Sequence, residues 1–123
     1  MYPYFATAGD IRQNPHAIIM TFIVTALYPA SEGTTFGLTY YAQTHMPLVE
    51  SFWKEHGLLN WKLVKFDEEQ KPPFSVANII TFKDAASFAA AASGPGKDKI
   101  AADVSNFCNC EPTIIGGELA FSG

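Results

Sequence analysis

The stretch AIIMTFIVTALY, residues 17–28, decides the fold class of this sequence. Its β-branched and aromatic side chains are typical of a strand. Thr21 and Thr25 interrupt the apolar run, which falls short of the ~18–20 residues needed to cross a membrane. The near-continuous apolarity predicts a first strand that is covered on both faces. Alternation along this strand places Ile18, Met20, Phe22 and Val24 on one face and Ile19, Ile23 and Leu27 on the other.

Outward from this strand, helical and extended patterns alternate between turn-rich segments. A first helix is predicted from an N-cap at Thr39 to His56, with Gly57 as its left-handed stop. Asp84 is the predicted N-cap of a second helix. The order is β-α-β-β-α-β, which predicts an α+β, ferredoxin-like antiparallel sheet with its helices on one face. The remaining predicted ranges are 61–66, 74–82 and 113–121 for strands, and 85–93 and 97–103 for helices.

Pro47 predicts an irregularity inside the first helix. Proline lacks the N–H that a helix interior requires, and it biases the residue before it, Met46, away from α-helical geometry. The helix is therefore expected to kink or restart here, with His45 at the kink.

The other face of the sheet predicts self-association. Two helices cover only one face of a four-stranded sheet, yet both faces of the predicted strands are apolar. Burying roughly 800 Å² of the open face per subunit contributes a gross ~20 kcal/mol before the costs of association. An exposed apolar surface of this size would promote aggregation, so we expect a face-to-face homodimer.

The composition of the chain excludes further classes of protein and of partner. The 123 residues are 48% hydrophobic and 16% charged, which excludes a disordered chain. The net charge of −4 leaves no basic stripe, so neither nucleic acid nor a membrane is an expected partner. Residues 1–16 are interpreted as an N-terminal extension to a domain of residues 17–123. Cys108 and Cys110 are too few for a disulfide framework, so a cytoplasmic location is expected. Their spacing is poor for a metal, and no metal site or cofactor motif is predicted.

His45 is the candidate for proton transfer, because histidine titrates near neutrality and can donate or accept a proton. It follows Tyr41 by one helical turn, and a tyrosine phenol can bind or polarise a substrate oxygen. The alternative interpretation of His45 is structural, as a packed histidine satisfied by a backbone carbonyl.

Other polar and aromatic residues have two interpretations each. Asp103 and Asn106 precede the last strand; Asn106 could orient a ligand oxygen, or Asp103 ends a helix and Asn106 shapes a turn. Asn78 lies on an apolar strand face, and a buried amide needs partners, so it bonds across the dimer or points at a ligand. Trp53 belongs to a set of aromatic residues that wall a pocket or form the core and interface.

The sequence around the first helix resembles the EthD family. Tyr40-Tyr41, three residues, and then HMPLV at residues 45–49 are similar to the family's YY-x-x-x-HMPLV signature. Further similar segments follow in order over residues 18–121: ALYP at 26–29, the GxTF pattern at 33–36, and Asp103-Val-x-Asn106-Phe107 before Glu111-Pro112. The resemblance implies a dimeric α+β barrel. It also implies relatives that include cofactor-free monooxygenases, cyclases and decarboxylases of polyketide aromatics, along with haem-binding members.

Together these observations predict a small, cofactor-independent enzyme for a hydrophobic, oxygenated, aromatic or polyketide-like molecule. Such a substrate carries its own electron sink, so the protein need only position it and move protons. Decarboxylation, dehydrating cyclisation and oxygenation are all reactions that such a set of acid–base and binding residues could catalyse. The alternatives are a haem-binding protein, with a histidine as axial ligand, and a dimer that binds a small ligand without reaction. His45 and Tyr41 are the predicted catalytic residues, and the predicted substrate-binding residues are Tyr40, Trp53, Asn78, Asp103, Asn106 and Phe107.

Overall fold

The structure is a computed structural model that describes residues 20–123. The predicted extension and the first three residues of the predicted first strand therefore lie outside the described residues. Within the described range, the strands are β1 (Phe22–Pro29), β2 (Leu58–Lys65), β3 (Phe74–Phe82) and β4 (Thr113–Glu118). Helix α1 comprises four consecutive segments: Leu38–Tyr40, Tyr41–His45, Met46–Trp53 and Lys54–His56. Two later helices are α2 (Ala85–Ser93) and α3 (Lys97–Asp103), and 3-10 turns lie at Glu68–Gln70 and Val104–Asn106.

The four strands form one sheet in the order β2-β3-β1-β4, and each neighbouring pair is antiparallel. This arrangement confirms the predicted α+β, ferredoxin-like fold. The two central strands, β1 and β3, are joined through eight residue pairs that run from Phe22 with Phe82 to Pro29 with Phe74. No helix within residues 20–123 has the length and apolar character to cross a membrane.

Three predicted elements, β3, α2 and α3, have the bounds that the sequence predicts. The Asp84 side chain caps α2 by accepting a hydrogen bond from the Ser87 N–H at 2.7 Å, as predicted. Gly57 ends α1 at a φ of 93°, the left-handed conformation expected of a glycine stop.

Other predicted bounds were wrong. Thr21 lies before β1, which continues to Pro29. Strand β2 begins at Leu58 instead of residue 61, because the chain enters it directly after Gly57 and a register irregularity between Leu58 and Asn60 disturbs the alternation there. Strand β4 ends at Glu118 instead of residue 121, because its ladder partner on β1 is the first residue of that strand, Phe22.

The start and the centre of α1 also differ from the prediction. The helix begins at Leu38 with Gly37 as N-cap, so Thr39 is not the cap. The predicted irregularity before Pro47 is confirmed as a π-helical turn over Tyr41–His45, in which the Met46 N–H bonds to the carbonyl oxygen of Tyr41. Met46 itself is α-helical, with φ −67° and ψ −37°, so the expected effect of proline on this residue was wrong. The wide turn lets the helix continue where proline would clash with an α-helical backbone.

Between the helices and the sheet, the core divides into two groups of side chains. The apolar cluster is formed by Phe22, Val24, Leu58, Ile80, Phe82, Ala85 and Ala91. The aromatic cluster is formed by Ala26, Tyr28, Tyr41, Met46, Val49, Val76, Phe107 and Cys108. Both clusters use the same face of β1, because alternate residues of this strand are buried.

The opposite face of the sheet, here called the open face, has no helix of the described chain packed on it. Thr25 lies at its centre, paired with Ile79 on β3 and with Ile115 on β4. Paired residues on adjacent strands share a face, so both isoleucines lie on the open face. Ile115 is 56% exposed. The predicted two-sided apolarity of the central strands is therefore present in the sheet.

Candidate functional site

The candidate site is centred on a contact between α1 and α3. His45 ends the π-helical turn of α1, and Asp103 is the last residue of α3. The imidazole Nδ1 lies 2.8 Å from the Asp103 carboxylate Oδ2, and 58 residues of chain separate the two partners. The His45 residue is only 4% exposed. The fold thus brings a buried imidazole and a carboxylate into direct contact.

Two more side chains hold the same carboxylate. The Tyr40 hydroxyl donates a hydrogen bond to Asp103 Oδ1 at 2.6 Å, and the Asn106 amide donates to the same oxygen at 3.0 Å. Asp103 therefore accepts hydrogen bonds from Tyr40 on α1 and from Asn106, which follows α3. Hydrogen bonds to an ionised carboxylate are the stronger kind, so this arrangement fixes the position of Asp103 relative to His45.

The electrostatics assign a protonation state to the pair. Burial lowers the pKa of His45, and the hydrogen bond and charge of Asp103 only partly oppose that effect. Desolvation acts to raise the pKa of Asp103, but the hydrogen bonds from Tyr40, Asn106 and His45 outweigh it and lower that pKa. At pH 7 the carboxylate is ionised and the imidazole is neutral. An ionised carboxylate can only accept a hydrogen bond, so the imidazole proton is assigned to Nδ1, which faces Asp103, and the lone pair lies on Nε2.

A second polar group begins at Tyr41, four residues before His45, and runs into the sheet. The Asn78 amide nitrogen on β3 donates to the Tyr41 hydroxyl oxygen at 2.7 Å, and the Tyr28 hydroxyl on β1 lies 3.5 Å from the same oxygen. Burial raises the pKa of Tyr41, which keeps this phenol protonated at neutral pH. Asn78 is fully buried, and its Oδ1 has no hydrogen-bond partner among residues 20–123.

This geometry bears on the two interpretations of Asn78. The amide lies on the helix face of β3 and bonds to Tyr41 within the same chain, which favours a contact with a ligand over a bond across the dimer. Exchanging the amide oxygen and nitrogen in the assignment would still leave one of the two atoms without a partner. A buried polar atom without a partner costs free energy, and it is therefore a candidate contact for a ligand.

Aromatic rings surround both polar groups. The Phe107 ring centroid lies 4.5 Å from that of His45 and 4.9 Å from that of Tyr41. Phe36 lies 5.2 Å from Tyr41 and 5.5 Å from Phe107. These rings exclude water from the imidazole and the phenol, which strengthens electrostatic interactions at both groups.

The segment that carries Phe107 is tied to the loop before α1. The Gly37 N–H bonds to the Phe107 carbonyl oxygen at 2.7 Å, and the Asn109 side chain bonds to the Thr35 N–H at 2.8 Å. Cys108 and Cys110, for which the sequence indicated no role, form a disulfide in the structure. These contacts hold Phe107 in position against His45.

Most of the predicted site residues meet at this site. His45, Asp103, Tyr40, Asn106 and Phe107 are in contact there, and Asn78 joins them through Tyr41. Asp103 also ends a helix, as the alternative interpretation states. Trp53 lies between the two clusters and packs against both, but its ring contacts are with Phe82 at 5.6 Å and Phe88 at 6.5 Å. Its indole Nε1 has no hydrogen-bond partner among residues 20–123.

Tyr28 and Phe36 are site residues that the sequence analysis did not select. Tyr28 shares the buried face of β1 with Phe22, Val24 and Ala26, and it is the member of that row with a hydroxyl group. A polar tip on a row of buried side chains was the signal that could have identified it. Phe36 lies in a loop, where no periodic pattern marks a buried side chain.

The described residues contain no group of three or more His, Cys, Asp or Glu side chains placed to hold a metal ion. The site can instead transfer a proton, because Nε2 of His45 has no hydrogen bond from residues 20–123 and Asp103 can stabilise the charged imidazolium. A phenol four residues away can donate a hydrogen bond to an oxygen of a bound molecule.

Comparison with known proteins places the fold. No protein-family model matches the chain, and no curated protein sequence matches it. An EthD-like protein from Ralstonia eutropha JMP134 has a similar structure, with a TM-score of 0.75, 22% identity, and coverage of 86% of this chain and 97% of that one. The fold is thus that of an EthD-like protein, in agreement with the resemblance seen in the sequence.

Two other solved structures share the fold at lower similarity. A dimeric ferredoxin-like protein of unknown function from Jannaschia sp. CCS1 has a TM-score of 0.56 and 19% identity, covering 81% of this chain and 99% of that one. SnoaB, a cofactor-independent oxygenase from Streptomyces nogalater, has a TM-score of 0.54 and 16% identity, covering 86% of this chain and 97% of that one.

Proposed function

We propose that this chain is an EthD-family enzyme that acts without a cofactor on a hydrophobic, oxygenated, aromatic small molecule. The observation that carries the proposal is the buried His45 imidazole held at Nδ1 by Asp103, 2.8 Å away. This pairing makes Nε2 the basic atom of a neutral imidazole in a site with little water. The decarboxylation, cyclisation and oxygenation expected of the resembled family can all begin with proton transfer from an activated substrate.

In the proposed mechanism, His45 is the acid–base residue. Nε2 takes a proton from an acidic carbon or hydroxyl of the substrate, and the electron pair of the broken bond remains on the substrate as an enolate or phenolate. The imidazolium that forms is stabilised by the ionised Asp103. Asp103 is a positioning residue in this mechanism, because its two oxygens are occupied by Tyr40, His45 and Asn106.

Tyr41 binds the substrate oxygen on which negative charge develops. Its hydroxyl oxygen accepts from Asn78, so the phenol hydrogen is available to the substrate. Asn78 fixes the direction of this phenol, and its partnerless oxygen is a second polar contact for the ligand. Phe107 lies against the imidazole and the Tyr40 ring lies against Phe107; both rings bind the substrate ring in this proposal. Asn106 contributes by holding Asp103. The contacts of Trp53 with Phe82 and Phe88 favour a packing role for that residue.

The three-dimensional similarity to SnoaB, a cofactor-independent oxygenase, supports oxygenation among the three reactions. Anthrone is a suitable probe, because loss of its methylene proton gives a stabilised anion that reacts with oxygen. The balanced reaction is anthrone plus O₂ to anthraquinone plus H₂O. We expect oxygen uptake with the wild-type protein above the spontaneous rate, and a loss of about 10²-fold in His45→Gln.

His56→Gln is the matched control for this experiment, because His56 lies at the end of α1 and outside the contacts of the site. Equal rates in wild type and His45→Gln, with both proteins folded, would contradict the base assignment. Tight binding of anthrone by both proteins without turnover would favour a ligand-binding protein. A Soret band that forms stoichiometrically with added haemin and disappears in His45→Gln would favour a haem protein.

We also propose that the chain forms a homodimer through the open face of the sheet. The apolar side chains on that face and the dimeric state of the Jannaschia protein support this assembly. Ile115 and Ile114 provide a matched test, because they are neighbours on β4 with similar exposure, 56% and 59%, but lie on opposite faces. Sedimentation at micromolar concentration should show a monomer for Ile115→Lys and a dimer for wild type and Ile114→Lys. A wild-type monomer would refute the assembly.

A further inference from the structure

A cleft of about 660 Å³ lies outside the contacts described so far. It opens between the loop that joins β1 to α1 and the hairpin that joins β2 to β3, at one end of the sheet. Its volume is within the range of sites that bind small molecules, roughly 300–1,000 Å³. The cleft is therefore large enough for a molecule of several rings.

The walls of the cleft are aromatic. Phe36, Phe66 and Phe74 line it, and each of these side chains is half-buried. Phe36 also contacts the candidate site, with its ring centroid 4.7 Å from Tyr28 and 5.2 Å from Tyr41. One phenylalanine thus forms the boundary between the cleft and the tyrosines of the aromatic cluster.

Two cations line the same cleft. Lys65 and Lys71 are exposed, and neither forms an ion pair or a hydrogen bond through its ammonium group with residues 20–123. Glu68 is the acidic residue among the lining side chains. Asp67 and Glu69 belong to the same hairpin but do not line the cleft, so the charged lining side chains are two lysines and one glutamate and carry a small positive excess. Aromatic walls with an unpaired cation at the rim are complementary to an aromatic anion.

We propose that this cleft binds an aromatic carboxylate, with its rings against Phe36 and Phe66 and its carboxylate between Lys65 and Lys71. Only one part of this inference depends on the proposed function, namely that the molecule bound in the cleft is the substrate on which His45 acts. In that case the substrate enters past Phe36 and meets Tyr41 first. The binding site itself stands on the cleft, its aromatic walls and its unpaired lysines.

The experiment compares two probes of nearly the same shape, the anion 2-naphthoate and the neutral 2-naphthamide, by isothermal titration calorimetry at low and high salt. We expect wild type to bind the carboxylate about fivefold more tightly than the amide, since exposed ion pairs each contribute little. This preference should shrink at high salt because the charges are screened. The double variant Lys65→Met/Lys71→Met should bind both probes equally.

The control double variant, Lys83→Met/Lys97→Met, removes two exposed lysines that do not line the cleft and so changes the net charge by the same amount. It should retain the wild-type preference. Equal affinity of wild type for the two probes, no binding of either probe, or an equal loss in both double variants would overturn the proposal. His45→Gln should bind 2-naphthoate as wild type does. A cleft that binds normally while His45→Gln retains turnover would therefore refute the catalytic assignment and leave the binding site intact.

Discussion

The two clusters of the core lie on the same face of one sheet, but different helices cover them and their chemistry differs. Ala85 and Ala91 of α2 belong to the apolar cluster, whereas the aromatic cluster takes its helical members from α1. The buried members of the apolar cluster around Phe82 are all hydrocarbon side chains, and Trp53, which packs against both clusters, adds a single indole N–H. The aromatic cluster has polar atoms within it or against it, on Tyr28, Tyr41, His45 and Asn78. Apolar burial stabilises a fold by itself, whereas buried polar groups cost free energy unless they are hydrogen-bonded.

The difference supports placing the proposed function in the half of the molecule that contains the aromatic cluster. The hydrogen bonds within the aromatic cluster are incomplete, because Asn78 Oδ1 has no partner and the hydroxyls of Tyr28 and Tyr41 are 3.5 Å apart. Leucine or phenylalanine at these positions would fill the same space without such a cost. We infer that the apolar cluster maintains the fold and that the aromatic cluster holds the groups of the proposed site at a cost in stability. The following predictions test this division.

The largest expected effect on stability lies in the apolar cluster. Phe82 has no exposed surface, and it contacts Trp53 and Phe88. Phe82→Ala should lower the free energy of unfolding by about 3–5 kcal/mol, because it leaves a cavity in a packed core. Chemical denaturation measures this change. Phe121→Ala is the control, since Phe121 is 94% exposed and its truncation should change stability little. A small loss for Phe82→Ala would contradict the division.

In the aromatic half, Asp103→Asn should affect catalysis more than folding. The variant retains a side chain of the same shape but removes the charge that stabilises the imidazolium. We expect turnover of anthrone to fall about 10²-fold. We also expect the pKa of His45, followed by NMR, to fall below the wild-type value, because the group that raises it is lost.

Asp98→Asn, on the exposed side of the same helix, is the control for this change. It should leave both the turnover and the His45 titration unchanged. If Asp103→Asn left the pKa of His45 unchanged while lowering stability, Asp103 would serve only to join α1 to α3.

The pH dependence of stability should also distinguish the two halves. The folded protein holds His45 with a pKa below its ordinary value of 6.5. Between the folded pKa and 6.5, the unfolded chain binds a proton that the folded chain does not, so the free energy of unfolding falls as the pH decreases through this window. Above 6.5 this contribution is constant. Denaturation at pH 7.5 and 5.5 should show a larger loss on acidification for wild type than for His45→Gln, and equal losses would contradict burial of a neutral imidazole.

The smallest expected effect separates the two tyrosines. Tyr28→Phe removes one long contact between hydroxyls and should lower the free energy of unfolding by at most about 1 kcal/mol. Tyr41→Phe also removes the hydroxyl that accepts from Asn78 and should cost about 1–3 kcal/mol, since the buried amide nitrogen then keeps only the weak Met46 sulfur acceptor, 3.5 Å away. Parallel denaturation of the two variants measures the difference. A larger loss for Tyr28→Phe than for Tyr41→Phe would contradict the proposal that the Tyr41 hydroxyl, and not the Tyr28 hydroxyl, satisfies Asn78.

Local patterns in the sequence predicted the elements whose signals are local. Strand β3 is a largely apolar run that follows two prolines and precedes the cap of α2, and α2 has an aspartate cap and an alanine-rich body, so their bounds were correct. The start of α1 was wrong because a distant contact defines it. Gly37 donates its N–H to the carbonyl oxygen of Phe107, 70 residues later in the chain, and no feature of Thr39 reports this bond.

The candidate site, like the start of α1, depends on contacts between residues that are far apart in the sequence. Helical spacing could place Tyr41 and His45 on one helix, but the contact of His45 with Asp103 joins residues 58 positions apart. No periodicity relates such positions. The sequence marked Asp103 as a polar residue before the last strand, and the resemblance to a known family strengthened its candidacy, but neither predicted its contact with His45. The cleft was beyond prediction because its walls come from two separate loops, and the distance between loops depends on the packing of the whole sheet.

The π-helical turn before Pro47 has a consequence for anyone who redesigns this helix. A turn closed by a bond between residues five apart contains one residue more than an α-helical turn. Deleting Gln43, which is exposed within this turn, would allow an ordinary α-helix to form up to His45. Everything before the deletion would then rotate by about 100° relative to everything after it, because each α-helical residue advances the helix by that angle. Tyr40 and Tyr41 would change direction together, and Tyr41 would no longer point towards Asn78. The one additional residue of the π-helical turn therefore sets the angle between the side chains before it and the side chains after it, so that both groups face the sheet.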